Sequence, residues 1–422
     1  MDIKMSKAYI LNIAVRLSKK NIILRKILRF FVKRFRSLRF MMLYYYKYKV
    51  NKHIIFFESF KGKSYSDSPK AIYETLLNTK NSYKFVWAFN SGGLHKLLPD
   101  QKRTTCVYYN SREYYRYFSK AQYIVTNSTL LEHIKKKNNQ ILIQTWHGTP
   151  LKRLGCDINV NQENSFYSLR EIYKLYESNG TKMDYLVSPS AYATEKLTST
   201  FNLKKLKKEH IVLEAGYPRN DFLINHKKDE VERIKQKLDL PTNKRVILYA
   251  PTYRDNSHEV NSGYIFTPNI DFDLLEKNLC ADYIILFRAH YLVGKSFNFE
   301  KHKGFIYDVS HTDDVNYLYI ISDLLITDYS SVFFDYANLK RPIIYFMYDL
   351  ESYQNKLRGF YLDLDELPGP IVKDEIQLIE TIKQIWSDSN NTIERIAKFS
   401  AQYNYLDDGN ASDRVLKMSG IL

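Results

Sequence analysis

The chain holds 422 residues, 45% of them apolar and 15% aromatic, which is ample for two domains of ordinary size, and no stretch is low-complexity. Its formal net charge is +17, but residues 1–57 carry 15 Lys and Arg against one acid, Asp2, so +14 lies there and about +3 remains for the rest. Basicity is therefore a local feature, not a property of the globular body. Cys106, Cys156 and Cys280 show neither paired nor metal-type spacing, which fits a reducing, intracellular location. No apolar run approaches the roughly 18–20 residues that cross a bilayer, and no apolar stretch leads into a small-residue cleavage site, so export is not expected.

Residues 19–49 are predicted as a basic amphipathic helix. Ile23, Ile27, Phe31, Phe35, Leu38 and Met42 recur at spacings of four or three and share one face. Arg25, Lys26, Arg29, Lys33 and Arg36 fill much of the remainder, and Tyr44, Tyr45, Tyr46 and Tyr48 follow. Cations, an apolar stripe and interfacial aromatics point to a helix lying in an anionic membrane surface. The competing readings are a helix packed on the domain with a solvated basic face and, last, a nucleic-acid arm.

From His53 the pattern alternates strand and helix. Strands are expected at 54–57, 85–89, 123–126, 141–145, 185–188 and 211–214, with helices at 69–77 and 191–197 between them. The chain turns polar near 225–228 and enters a charged helix at 230–238. A second set of strands follows at 246–250, 283–287, 305–307, 323–327 and 342–346. Such alternation predicts parallel, doubly wound sheets. The expected organisation is a membrane-association segment (1–50), a Rossmann-like domain (51–225) and a second Rossmann-like domain (226–422), with a cleft between the two. Ligands of open α/β sheets sit beyond the carboxyl ends of the strands, so the residues following each strand are the candidates.

Five strand ends carry phosphate-type chemistry. After 141–145 comes Trp146-His147-Gly148-Thr149-Pro150-Leu151-Lys152. His147 titrates near neutrality and can take a proton from a hydroxyl, Gly148 lets backbone approach a ligand, and Lys152 can steady a phosphate. Arg219 follows 211–214 and Thr252 with Arg254 follows 246–250. Arg288 and His290 leave 283–287 on one side, which suits a pair of pyrophosphate oxygens. After 323–327 comes Asp328-Tyr329-Ser330-Ser331, and a helix begins near Val332. Its free N–H groups and two hydroxyls suit a phosphate, and Asp335 one turn on is placed to reach a ribose. Singly, each has a plain structural explanation; together they point to a phosphate-bearing substrate in the interdomain cleft. No Gly-x-x-x-x-Gly-Lys-Ser/Thr loop, no Gly-x-Gly-x-x-Gly after a strand and no ligand spacing for a tightly held metal is present, so P-loop, dinucleotide and metal-centred mechanisms and any cofactor are not expected.

At these residues the chain resembles the CDP-glycerol glycerophosphotransferase family, the teichoic-acid primases and polymerases of bacteria. The match runs in order through Gln144–Lys152, Tyr217-Pro218-Arg219-Asn220-Asp221, Ala250-Pro251-Thr252-Tyr253-Arg254, Arg288-Ala289-His290, the stretch from Thr327 to Asp335, Arg358-Gly359-Phe360-Tyr361 with Pro368-Gly369-Pro370, and Asp408-Gly409-Asn410-Ala411-Ser412, over roughly 50–415. The resemblance implies a GT-B-like fold, a CDP-glycerol or CDP-ribitol donor, a polyprenyl-linked or glycolipid acceptor, and attachment to the cytoplasmic face of the cell membrane. It implies His147 and His290 as catalytic residues. It also implies Trp146, Gly148, Thr149, Pro150, Arg219, Pro251, Thr252, Arg288, Ala289, Ser330, Ser331 and Asp335 as substrate contacts. The expected reaction transfers an alditol phosphate to a hydroxyl and releases CMP. The alternative in another class is a GT-B glycosyltransferase using a nucleotide sugar.

Overall fold

A computed structural model describes residues 22–159, 168–252, 258–259, 263–264, 270–288, 299–351 and 359–422. Among them the first sheet has seven parallel strands in the order β3-β2-β1-β4-β5-β6-β7: β1 (Asn51–Glu58), β2 (Lys84–Phe89), β3 (Thr104–Tyr108), β4 (Ala121–Thr126), β5 (Ile141–Gln144), β6 (Tyr185–Ser188) and β7 (Val212–Glu214). The two-residue strands β9 (His258–Glu259) and β10 (Gly263–Tyr264) form an antiparallel pair. The second sheet has six parallel strands ordered β12-β11-β8-β13-β14-β15: β8 (Arg245–Ala250), β11 (Tyr283–Phe287), β12 (Ile306–Asp308), β13 (Leu324–Thr327), β14 (Ile343–Phe346) and β15 (Ile371–Val372).

The period-2 alternation of each central strand explains why both faces need cover. Ile54 and Phe56 of β1 enter one core with Tyr114, Phe118 and Leu197, while Ile55 and Phe57 enter the other with Ile72, Tyr73 and Leu76. In β8, Val246 and Leu248 pack with Leu318 and Phe333, and Ile247 and Tyr249 pack with Leu275 and Leu378. β3 went unpredicted because it is an edge strand beginning Thr104-Thr105, paired only with β2, and three of its five residues stay exposed. β15 is a two-residue edge strand with too little pattern to read.

The last helix corrects the expected end of the second domain. Val415, Leu416 and Ile421, in and after the helix Ala411–Met418, lie in the first sheet's core, and Tyr83 and Tyr123 donate to the carbonyls of Ile421 (3.0 Å) and Gly420 (2.7 Å). Asp221 accepts from the amides of Ala411 and Ser412 at 2.8 and 2.7 Å, which anchors the start of that helix. The chain therefore crosses between the sheets twice.

The predicted N-terminal helix spans Ile22–Phe40 and continues as a π-turn at Met41–Tyr45. Its end is fixed by Phe40 and Tyr44, which are buried beside Tyr115 and Phe118. Earlier turns leave Phe30, Phe31 and Phe35 about two-thirds exposed (65%, 63% and 65%).

Candidate active site

His147 reaches the cleft because β5 ends in a left-handed residue. Trp146 has φ +54°, a conformation that costs a non-glycine residue about 1–3 kcal/mol and persists only when its surroundings enforce it. The Trp146 amide donates to Gln144 Oε1 (3.0 Å) and its ring packs edge-on against Phe201 at 5.2 Å, in the core. Trp146, expected as a substrate contact, is 4% exposed and instead aims its neighbour. The His147 ring then lies against Trp146 (4.3 Å) and Phe60 (6.0 Å), and Nδ1 is 2.8 Å from the Asn127 carbonyl. A carbonyl only accepts, so Nδ1 carries the proton and Nε2 presents its lone pair on the opposite side of the ring. His147 keeps exposed surface, yet the surrounding protein lowers its pKa through lost hydration, with the Arg219 and Lys61 charges adding to this and the Asn127 bond opposing it.

Arg219 is the hub between the domains. Nε and Nη2 donate to the two oxygens of Asp335 at 3.0 and 2.9 Å, Asn220 Nδ2 adds a third bond to Asp335 at 3.0 Å, and Arg219 and Asp335 are 4% and 7% exposed. The guanidinium stacks on the Tyr217 ring at 3.9 Å, and Asp67 lies 3.8 Å from Nη1. Asp407 continues the network, accepting from the Tyr217 amide (2.7 Å), Asn220 (2.6 Å) and Asn338 (3.1 Å). The expectation that Asp335 reaches a ribose is thus corrected: both of its oxygens face protein donors, and it holds Arg219 in place. Lys70 and Asp314 form a second buried bridge between the domains at 2.7 Å. Burial lowers and Asp314 raises the Lys70 pKa, with a net upward shift.

The Ser-rich turn meets the His147 loop directly. A methyl group added to Gly148 would come within 2.7 Å of Ser331 Oγ, so the glycine lets the two loops approach without displacing that hydroxyl. Ser331 occupies the N-cap of Val332–Ala337 without making a side-chain capping bond, and both Ser330 and Ser331 are half-buried. Thr252 donates through its amide (2.7 Å) and hydroxyl (2.5 Å) to Asp328, fastening the end of β8 to that of β13. Arg288 is half-buried and donates to the Thr312 carbonyl at 2.8 Å, and burial lowers its pKa. Thr149 and Pro150 are buried in the His147 loop, Pro251 is half-buried, and the Pro150 carbonyl accepts from Tyr192. Lys152 pairs by its backbone with Phe360, and Arg153 and Tyr361 extend the ladder at 3.1 and 2.8 Å, so two separated motifs form one strap across the domains. Ala289, His290 and Arg254 lie outside the described residues.

Sequence reading missed the residues that support these. Asn127 is wholly buried, accepts from the Phe60 amide at 2.8 Å and so ties that turn to the carbonyl holding His147. Phe60 and Lys61 are consecutive left-handed residues (φ +45° and +58°), with no local sequence signal for that conformation. Beneath them Glu58 is buried, accepts from Tyr114 (2.7 Å) and is pushed up to about 7 by lost hydration. A carboxyl raised in the fold holds a proton that the unfolded chain releases, so stability falls as pH rises from about 4.5 to about 7. Glu58→Gln should remove a component on the order of 3 kcal/mol from that slope, read from urea denaturation at pH 5 and pH 8.

Two doubly wound parallel domains, joined at a cleft where a histidine, an arginine–aspartate pair and a serine turn meet, define a GT-B-like protein. The chain belongs to the CDP-glycerol:poly(glycerophosphate) glycerophosphotransferase family, whose model matches residues 39–418. It is 41% identical over 372 residues to the teichoic acid poly(glycerol phosphate) polymerase of Bacillus spizizenii, covering 87% of this chain and 92% of the relative. Against the protein of the same description from Bacillus subtilis it is 40% identical over 370 residues, covering 87% of this chain but only 48% of the relative, so it spans about half that length. A solved structure of the wall teichoic acid polymerase TagF, a histidine-to-asparagine variant soaked with CDPG, matches with TM-score 0.83 and 38% identity, covering 97% of this chain and 96% of that one.

Proposed function

We propose that this chain transfers glycerol phosphate from CDP-glycerol to a hydroxyl of a membrane lipid-linked acceptor, releasing CMP, in the synthesis of a teichoic acid. The observation that carries the reading is His147, tautomerically set by Asn127, on a loop whose next residue, Gly148, meets Ser331 of the other domain. An alcohol is a poor nucleophile without a base. Nε2 of His147 takes the hydroxyl proton as the oxygen attacks the β-phosphorus. The bond from that phosphorus to the oxygen bridging the two phosphates breaks, and CMP leaves with the electron pair. Arg288, with His290, offsets charge gathering on the departing phosphate, and Ser330 and Ser331 bind a donor phosphate through their hydroxyls. Arg219 fixes the spacing of the two domains around the donor.

Membrane attachment fits the exposed phenylalanines of Ile22–Phe40, a helix without an acidic residue. Among the described residues no helix is long and apolar enough to cross a membrane. The family and the poly(glycerol phosphate) relatives support glycerol in the donor. The test is direct: with CDP-glycerol and a synthetic lipid-linked acceptor, CMP release and a product heavier by glycerol phosphate units are expected. Transfer from a nucleotide sugar with no CMP formed would replace this reading with the glycosyltransferase one.

Lys61 supplies the acceptor side. Its charge acts on both His147 and Glu58, and the Ser59–Gly62 turn that presents it is fixed by Asn127 and by Asn90, which donates to the Lys61 carbonyl at 2.8 Å. A growing polymer bears a phosphodiester beside its terminal hydroxyl, and a cation on the turn whose Phe60 ring packs against the base at 6.0 Å suits it. Lys61→Gln should raise KM for a phosphodiester-bearing acceptor about tenfold while kcat and CDP-glycerol binding stay close to wild type, measured by initial rates with acceptors of one and several units.

A further inference from the structure

The first sheet carries a second hollow, at the amino ends of its strands and thus remote from the cleft at their carboxyl ends. Its volume is about 770 Å³, and Lys49, Lys52, His53, Lys120, Gln122 and Asn139 line it, with no carboxylate in the lining. The cations are arranged by the end of the N-terminal helix. Lys120 Nζ stands 5.3 Å over the Tyr48 ring, and Lys137 Nζ, 5.6 Å over the Tyr45 ring, donates to the carbonyls of Tyr48 and Ser119. Just before the hollow in sequence, Met42 and Tyr46 are 73% and 71% exposed and Leu43 is 45% exposed. A cationic hollow thus follows an exposed apolar and phenolic stretch of the chain, linked to it through Tyr48 beneath Lys120.

We infer that this hollow binds a phosphodiester anion, the headgroup of an anionic phospholipid, while the neighbouring apolar side chains enter the acyl boundary. The inference rests on the membrane-surface reading above and deepens it, since it assigns a headgroup site to a particular cavity. Three lysines and a histidine around one space match a single phosphate with its polar substituent. A glycerol phosphate polymer offers the same phosphodiester. The lipid is favoured because Met42, Leu43 and Tyr46 gain nothing from a polymer in water but bury surface in a bilayer.

The experiment uses the full chain and vesicles of phosphatidylcholine with and without phosphatidylglycerol. Wild type should sediment with the anionic vesicles. Lys52→Gln with Lys120→Gln should weaken that partition about fivefold for each lysine lost. Diffuse attraction predicts the same loss, so Asn139→Trp, on an exposed turn, is the deciding variant: it narrows the hollow from its Asn139 wall and keeps every lysine. It should weaken partition at least fivefold and leave turnover on a soluble acceptor unchanged. Wild-type partition by Asn139→Trp overturns the headgroup site alone. A wild-type chain that ignores anionic vesicles overturns the membrane reading as well. Displacement from vesicles by millimolar soluble glycerol phosphate oligomer, abolished by Asn139→Trp, would assign the hollow to the polymer and overturn the lipid assignment.

Discussion

His147→Ala should lower kcat by about 10²- to 10⁴-fold while the Kd for CDP-glycerol changes no more than a few-fold. The size of the loss follows from the geometry. Nδ1 is occupied by the Asn127 carbonyl at 2.8 Å, so the ring has one nitrogen left to accept a proton, and no other imidazole among the described residues of this cleft stands in for it. Its pKa lies below the usual imidazole value, so the ring is neutral and basic at neutral pH. The acid limb of the kcat profile should therefore fall below pH 6.5. The same shift has a stability sign: the neutral folded ring opposes protonation, so its contribution is full above 6.5 and diminishes as pH drops. Single-turnover transfer, equilibrium binding of CDP-glycerol and a pH profile of kcat check all three statements. Undiminished turnover by His147→Ala would remove this residue from the chemistry.

Asp335→Ala should cost stability by about 3–5 kcal/mol, because it leaves the Arg219 guanidinium buried at the domain junction with its bidentate partner gone. Asp67, 3.8 Å away, offers a poorer contact. Asp335→Asn keeps the shape and part of the bonding and should cost less. The paired change Arg219→Met with Asp335→Leu removes both charges, so it should recover most of the stability lost by the single change. It should not recover transfer, since the geometry joining the His147 loop to the Ser331 turn depends on that bridge. Denaturation midpoints and initial rates on the same four proteins separate the two effects. A double variant with full activity would show that the bridge stabilises the fold without positioning the site.

Periodicity and turn chemistry are local, and they carried most of the strand–helix order into the sequence reading. Short apolar runs at 185–188 and 283–287 predicted strands that match β6 and β11 residue for residue, because both faces of a parallel sheet are covered and leave a continuous apolar run. The candidate residues were legible for a related reason: they lie in the segments that follow the strands, where His147, Arg219, Thr252 and Arg288 stand out as polar groups after apolar runs.

What those residues do to one another was decided by tertiary structure. Arg219 and Asp335 are 116 positions apart, and an ion pair at that separation leaves no periodic trace in either segment. The left-handed Trp146 that turns His147 into the cleft has no glycine or asparagine to announce it, and packing against Phe201 enforces it. The helix Ala411–Met418 has an ordinary amphipathic pattern, which says that one face is buried but not which sheet buries it. By itself the sequence determined two nucleotide-binding-type sheets and the polar groups at their ends. The fold alone decided which of those groups stay open to the cleft and which hold one another, because a hydrogen bond depends on distances that local patterns do not encode.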